Sequence, residues 1–313
     1  MTPLAEILHE EIEKNGPISF YRFMEAALYE PRYGYYRRPD RDPFGKQGDF
    51  FTAEQLQPVF GILIAARIRL LYQEMGEPSD FVVVELGAGR GEVEQALACP
   101  YVPVEIDRGE LPTKFRGVVF SNEFFDALPV HRVVWQSGEP SESRVGWRDG
   151  RFVWVTGELV TGEIREYVER YFPYSPDRSS AEVNLDALRS MERISRHLES
   201  GYVFTIDYGY TSAEAKRFPA GTLMSYRRHT ATEDVLADPG ERDITAHVCF
   251  TALERPDLRT VRFESLSRTL LDAGGADQFA AALAGPDEAR RRLQLKTLLF
   301  GMGESFRTLL QQK

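Results

Sequence analysis

Apolar residues recur at helical spacing from the start of the chain. Leu4, Ile7, Leu8 and Ile12 share one face, which predicts a helix over 3–14. Gly16 and Pro17 interrupt the pattern, and Ser19 stands where the cap of a second helix belongs, one carrying Phe20, Phe23, Met24, Ala27 and Leu28. A polar loop rich in Arg, Asp, Pro and Gly leads to a third helix, predicted over about 54–75. The period then changes. Val82–Val84 is a β-branched run of the kind that fills a strand covered on both faces. Short apolar runs at Tyr101–Val104, Gly117–Phe120 and Tyr202–Ile206 read the same way. A short helix is expected over Gly91–Cys99, whereas Arg108–Phe115, with its proline, is too short to form a full helix. From Val130 to Val155 apolar and polar positions alternate between Gly and Asp turns, which predicts a β-rich insertion, placed at about 137–180. The Pro- and Ser-rich 173–181 reads as a loop, and Asn184 as the cap of a helix running to about His197. Val261–Phe263 is a late strand, with helices expected from 267 onward. Strands alternating with helices imply an α/β protein with a doubly wound sheet. Residues 1–80 are expected to form a helical cap and 81–313 the core.

The first predicted strand ends on an acid and runs into alternating glycines: Glu85-Leu86-Gly87-Ala88-Gly89-Arg90-Gly91. Glycines here let the backbone take positive φ and let a ligand lie against the main chain. In open α/β sheets, ligands bind beyond the carboxyl ends of the strands. The dinucleotide fingerprint Gly-x-Gly-x-x-Gly fails, because Glu92 stands where its last glycine belongs. An acid there would also face a pyrophosphate at a helix N-terminus. A nucleoside-cofactor site of another kind is the reading this leaves; a strand–helix turn with no ligand is the plainer alternative. Glu105 ends the next strand, where a carboxylate can accept both hydroxyls of a ribose, and the plainer alternative is a solvent-facing acid.

Asn122-Glu123-Phe124-Phe125-Asp126-Ala127-Leu128-Pro129 follows the next strand. If it forms a tight turn or a first helical turn, Glu123 and Asp126 share a face, and Phe124 and Phe125 can wall them from water. Paired acids suit a guanidinium, which stays protonated and offers a planar fork that carboxylates grip. They equally suit a helix N-terminus, where they would serve the dipole. Asp207, before Tyr208-Gly209, adds an acid at another strand end. His229 and His247 are candidate bases or substrate ligands, though a lone histidine is more often structural.

Composition narrows the classes. With 48 acidic and 38 basic residues among 313, the net charge of −10 argues against a surface made for nucleic acid. Two cysteines, Cys99 and Cys249, give no disulfide framework and are expected to be buried thiols. No His/Cys group has zinc spacing, so no metal is expected. The acidic start lacks the pattern of a secretory signal, and no run has the length of a membrane span. A cytoplasmic location is expected, or the mitochondrial matrix for a chain whose presequence has been removed.

These residues together resemble the MidA-like family of S-adenosylmethionine-dependent methyltransferases, relatives of a mitochondrial protein arginine methyltransferase that acts in complex I assembly. The similarity runs from end to end: Gly34-Tyr35-Tyr36, Gly48-Asp49-Phe50-Phe51-Thr52, the Glu85–Gly91 loop, Asn122–Pro129, Asp207-Tyr208-Gly209, Asp243-Ile244-Thr245-Ala246-His247 and Met302-Gly303-x-x-Phe306. The resemblance implies a class I methyltransferase fold, Rossmann-like, with helical additions, acting on a protein arginine. It assigns S-adenosyl-L-methionine, with S-adenosyl-L-homocysteine as product, to Glu85, Gly87, Gly89, Gly91, Glu105 and Asn122, with Gly48 and Thr52 closing over it. It assigns the acceptor to Glu123, Asp126 and Asp207, flanked by Phe124, Phe125, His229 and His247. The implied partner is a protein substrate, such as a respiratory-complex subunit, and homodimerisation is left open. The segment from Gly91 to Asn122 is shorter than in the family, so a small-molecule acceptor or a non-catalytic assembly factor stands as the alternative.

Overall fold

A computed structural model describes residues 1–38, 56–106, 108–227, 230–273, 275–285 and 287–313. The chain divides into two compact units, each drawn from three segments. One, the sheet unit, comprises Thr52–Phe124, Ser190–Gly209 and Glu254–Lys313. The other, the insertion unit, comprises Met1–Phe51, Phe125–Arg189 and Tyr210–Leu253. The expected division at residue 80 differs from this grouping, because the third helix belongs with the sheet.

The sheet unit is built on β1 (Phe81–Leu86), β2 (Tyr101–Val104), β3 (Phe115–Asn122), β4 (Leu198–Tyr210), β5 (Arg259–Ser265) and β6 (Phe306–Gln312). Their order across the sheet is β5-β6-β4-β3-β1-β2. The run β4-β3-β1-β2 is parallel, while β6 lies antiparallel between β4 and β5. All five strands expected here form, Tyr101–Val104 with the expected bounds and the other four with longer ones. The expectation of helices alone after 267 is corrected, because Phe306–Gln312 is a strand. Its apolar residues are consecutive rather than alternating, since both faces are covered: Thr308, Leu309 and Leu310 are all buried.

Helix α1 (Val59–Glu74) covers one face, burying Phe60, Leu63, Ile64, Ile68 and Leu71 in a core with Val83, Val118, Phe120, Phe204 and Leu310. Leu266, Leu270, Ala282 and Leu298, from the later helices α2 (Leu266–Ala273), α3 (Ala276–Leu283) and α4 (Glu288–Phe300), complete that core. At the opposite end from the site, strands approach closely. A Cβ on Gly117 would lie 1.8 Å from the Val82 carbonyl oxygen, and its φ of 153° is one that L side chains rarely adopt. The helix expected over Gly91–Cys99 is corrected to a single 3-10 turn, Glu94–Ala96. Between positive-φ Gly91 and Pro100 there is too little chain to repay helix nucleation. Among the described residues no helix forms between β2 and β3, as the shortness of Arg108–Phe115 implied.

The insertion unit holds the first two helices, Pro3–Asn15 and Phe20–Tyr29, capped as expected: the Ser19 hydroxyl accepts from the Arg22 amide at 3.1 Å. Their apolar faces meet Val130, Val145 and Ile244. The antiparallel sheet runs Ile18–Ser19, Glu139–Arg148, His131–Gln136, Ser180–Val183, with Arg151–Leu159 along Glu139–Arg148. The insertion therefore begins at His131 and ends in a strand. The loop reading of 173–181 is corrected at its end, where Ser180 and Ala181 pair with Val134 and Val133. Asn184 caps the helix Leu185–His197, its side chain accepting from the Ala187 amide at 2.9 Å. Cys249 is buried as expected, but Cys99 is only half-buried.

Candidate active site

The carboxyl edge of the parallel strands carries the chemistry. Taken across β2, β1, β3 and β4, each strand ends in or runs into an acid: Glu105, Glu85, Glu123 and Asp207. Glu85 lies within β1, in register with Pro103 and Phe120. Asn122 pairs with Ile206, which sets Glu123 and Asp207 at successive equivalent positions past that pair. The register thus gathers at one edge of the sheet four carboxylates that are far apart in sequence, with Glu123 and Asp207 level and Glu85 opposite Phe120, three positions earlier.

The glycine loop leaves β1 with Gly87, Gly89 and Gly91 all at positive φ, 66°, 52° and 66°. Gly87 has a second constraint. A Cβ there would lie 3.1 Å from the Phe124 ring, so the ring packs on bare backbone. The Gly87 amide donates to the Val104 carbonyl at 2.9 Å, which ties the loop to β2. The Gly89 amide donates to Glu105 Oε1, and Arg108 Nη2 donates to the Gly89 carbonyl at 2.8 Å. Sequence reasoning passed over Arg108 and Tyr101. The Tyr101 hydroxyl donates to Glu85 Oε2 at 2.5 Å. Only the strand register brings these together, and no local spacing announces it.

Glu85 is 5% exposed. Burial pushes its carboxyl up to about 7; the Tyr101 hydrogen bond opposes that push, while Glu105, Glu94 and Glu92 reinforce it. A carboxyl so placed sits among like charges that a cationic ligand would relieve.

Glu123 takes φ 51°, an uncommon conformation for a non-glycine residue. Its amide donates to the Ile206 carbonyl at 3.0 Å, and Asn122 Nδ2 donates to its Oε1 at 3.1 Å. Asp207 is fully buried, accepts from the Tyr208 amide at 2.9 Å, and stands opposite Arg307 in the antiparallel pairing of β4 with β6. Asn122, assigned to the cofactor, spends its amide group on Glu123.

Other expected residues belong to the insertion unit. Asp126 is 4% exposed, and its carbonyl accepts from the Ala246 amide at 3.0 Å. Asn184 Nδ2 donates to the Phe125 carbonyl and the Tyr29 hydroxyl to the Ala127 carbonyl, so three separate segments hold this turn. Phe125 is a core residue at 1% exposure. Glu123 and Asp126 were expected to share a face; the boundary between the two units falls between Phe124 and Phe125, which leaves Glu123 with Asp207 in the sheet unit. His247 packs edge-on to Phe218, and burial pushes its imidazole down to about 4. It is a neutral ring at physiological pH. Gly48, Thr52 and His229 lie outside the described residues. Among the described residues no cluster of His, Cys, Asp and Glu could hold a metal ion, and no helix is long and apolar enough to cross a membrane.

A parallel sheet closed by an antiparallel strand, with a glycine loop after its first strand, defines a class I S-adenosyl-L-methionine-dependent methyltransferase. Comparison with known proteins agrees. The chain belongs to the family described as "Putative S-adenosyl-L-methionine-dependent methyltransferase", whose sequence pattern matches residues 103–264. It is similar to a protein from Burkholderia thailandensis crystallised with S-adenosyl-homocysteine, at TM-score 0.87 and 29% identity over 99% of this chain and 92% of that one. Among curated proteins it is 27% identical to the mitochondrial protein arginine methyltransferase NDUFAF7 homolog of Drosophila melanogaster, covering 79% of this chain and 68% of the relative. The human protein arginine methyltransferase NDUFAF7 is also 27% identical, over 82% and 69%. The cofactor is S-adenosyl-L-methionine, and the MidA-like resemblance read from the sequence stands.

Proposed function

We propose that this methyltransferase modifies arginine side chains of a protein substrate. The observation that carries the proposal is the row of strand-end carboxylates, in which Glu123 is held at positive φ beside Asp207. The names of the curated relatives support the same acceptor.

The residues present fit the cofactor. S-adenosyl-L-methionine supplies a methyl group already activated on a sulfonium. Glu85, buried among like charges, gains from a nearby cation, and Glu105 at the end of β2 suits ribose hydroxyls. Gly87, Gly89 and Gly91 leave the loop backbone open to close approach.

Glu123 and Asp207 would then orient the acceptor guanidinium. Their negative charge holds the planar fork in one pose, which supplies most of what methyl transfer asks of a protein. Methylation of a guanidinium nitrogen would release one proton, which Glu123, Asp207 or water would take up. Phe124 packs on the bare backbone of Gly87.

The test is transfer of isotopically labelled methyl from S-adenosyl-L-methionine to proteins of a cell extract, with the labelled residue identified by mass spectrometry. Methylarginine that disappears in Glu123→Gln is the expected result. Label on another side chain or on a small molecule would sink the arginine assignment while leaving the methyltransferase intact.

A further inference from the structure

Tyr101 opens β2 in register with Val83 of β1, and its hydroxyl reaches Glu85 Oε2 at 2.5 Å. A Cβ on Gly91 would lie 3.8 Å from that hydroxyl and 3.5 Å from Glu94 Oε2. One phenol therefore joins two strands, the motif acid and the last glycine of the loop. We propose that Tyr101 is a positioning residue of the cofactor site, whose hydroxyl keeps the Glu85 carboxylate aimed and charged for a cationic ligand. This rests on the assignment of Glu85 to the cofactor made above.

The charged and titratable groups acting on Glu85 come from three places. Tyr101 begins β2, Glu105 follows it, and Glu92 and Glu94 lie in and after the glycine loop. The three acids and burial disfavour a charged Glu85; Tyr101 alone among these favours it. The Arg108 charge acts on Tyr101 in the opposite sense to Glu85. Burial and Glu85 push the Tyr101 phenol well up, so it stays protonated and donates across the working pH range.

The consequence is a proton linked to binding. With its carboxyl near 7, unliganded Glu85 is partly protonated at neutral pH, and a cationic ligand expels that proton to solvent. Affinity for S-adenosyl-L-methionine then rises with pH by up to about tenfold per unit below the break near 7, and levels above it. Losing the Tyr101 hydroxyl moves the break upward. Losing the Glu94 charge moves it downward. A residue that merely packs would change affinity by one factor at every pH.

Isothermal titration calorimetry of the full chain with S-adenosyl-L-methionine, between about pH 5.5 and about pH 9 in buffers of different ionisation enthalpy, reads both affinity and proton release. Tyr101→Phe is expected to weaken binding several-fold near pH 6.5 and little near pH 9, and Glu94→Gln to shift the break the other way. Glu85→Gln should flatten the profile and abolish the proton release. A Tyr101→Phe profile whose break stays at the wild-type pH, whatever its absolute affinity, overturns the proposal for Tyr101. A Glu85→Gln profile that keeps the wild-type break overturns the assignment of Glu85 itself, and with it the basis of the Tyr101 proposal.

Discussion

Glu123 concentrates the residue-scale argument, because its backbone and its side chain make opposite demands. A left-handed conformation costs a non-glycine residue roughly 1–2 kcal/mol, which glycine avoids at the expense of a more disordered unfolded chain. Glu123→Gly is therefore expected to change unfolding free energy by no more than about 1 kcal/mol in urea titrations. Methyl transfer should fall by about a hundredfold or more, the scale of losing an electrostatic contact to the reacting group. A variant that loses stability and keeps activity would show that the conformation serves packing alone. The acid was legible in the sequence as one of a pair; the strain was not, since nothing in Asn122-Glu123-Phe124 marks φ 51°. The pairing with Asp126 was read from spacing three residues apart, which is a helical argument. The turn is instead pinned by Asn184, Tyr29 and Ala246, all distant in sequence, so the helical spacing did not apply. Tyr101 was invisible for a related reason: its partner Glu85 is set by strand register, sixteen positions away.

At the scale of elements, what could be read locally was read. Caps at Ser19 and Asn184 and the β-branched run of β1 state their roles within a few residues. Strand β6 does not. Phe306-Arg307-Thr308-Leu309-Leu310 comes after a run of helices and does not alternate apolar with polar positions, yet it fills the gap between β4 and β5 and pairs with both. Leu309 there is 1% exposed and lies opposite Thr205 and Phe263. Leu309→Ala should cost about 3 kcal/mol by lost burial and residual cavity, readable as a lower urea midpoint at unchanged slope. Gly117 tests the sheet from its other end. A methyl group there meets the Val82 carbonyl, and Gly201 lies in register beside it, so neither neighbour can yield without opening the ladder. Gly117→Ala is expected to cost roughly 3 kcal/mol or more, and soluble, normally folded protein would contradict the close approach.

For the whole molecule, the two units interleave in sequence, and that sets what can be cut. A boundary at residue 80 looked natural from the change of period there, yet α1 contributes Phe60, Leu63, Ile64 and Leu71 to the sheet's core. A fragment beginning at 81 would bare that face of Val83, Val118 and Phe204, and should be insoluble or collapse without a cooperative transition. Ligand and pH couple to the intact chain in a way that follows from two shifted groups. Burial holds the His247 imidazole at about 4 against 6.5 unfolded, so its neutral form stabilises the fold above 6.5 and that contribution drains away as pH falls toward 4. Glu85 runs the other way. Its carboxyl, raised to about 7 from 4.5, favours the fold below 4.5 and loses that contribution as pH climbs through 7, on the order of 3 kcal/mol. A cationic cofactor restores what Glu85 loses. Ligand in hundredfold excess over Kd stabilises by about 2.7 kcal/mol, or about 4 °C in Tm for a chain of this size. At one fixed concentration of S-adenosyl-L-methionine, the rise in Tm should be larger at pH 8 than at pH 6. Glu85→Gln should raise the Tm of the unliganded protein at pH 8, because the buried charge is gone, and should shrink the cofactor's increment. If instead the variant lowers the unliganded Tm at pH 8 and keeps the full increment, Glu85 is a stabilising charge and the cofactor is held by other residues.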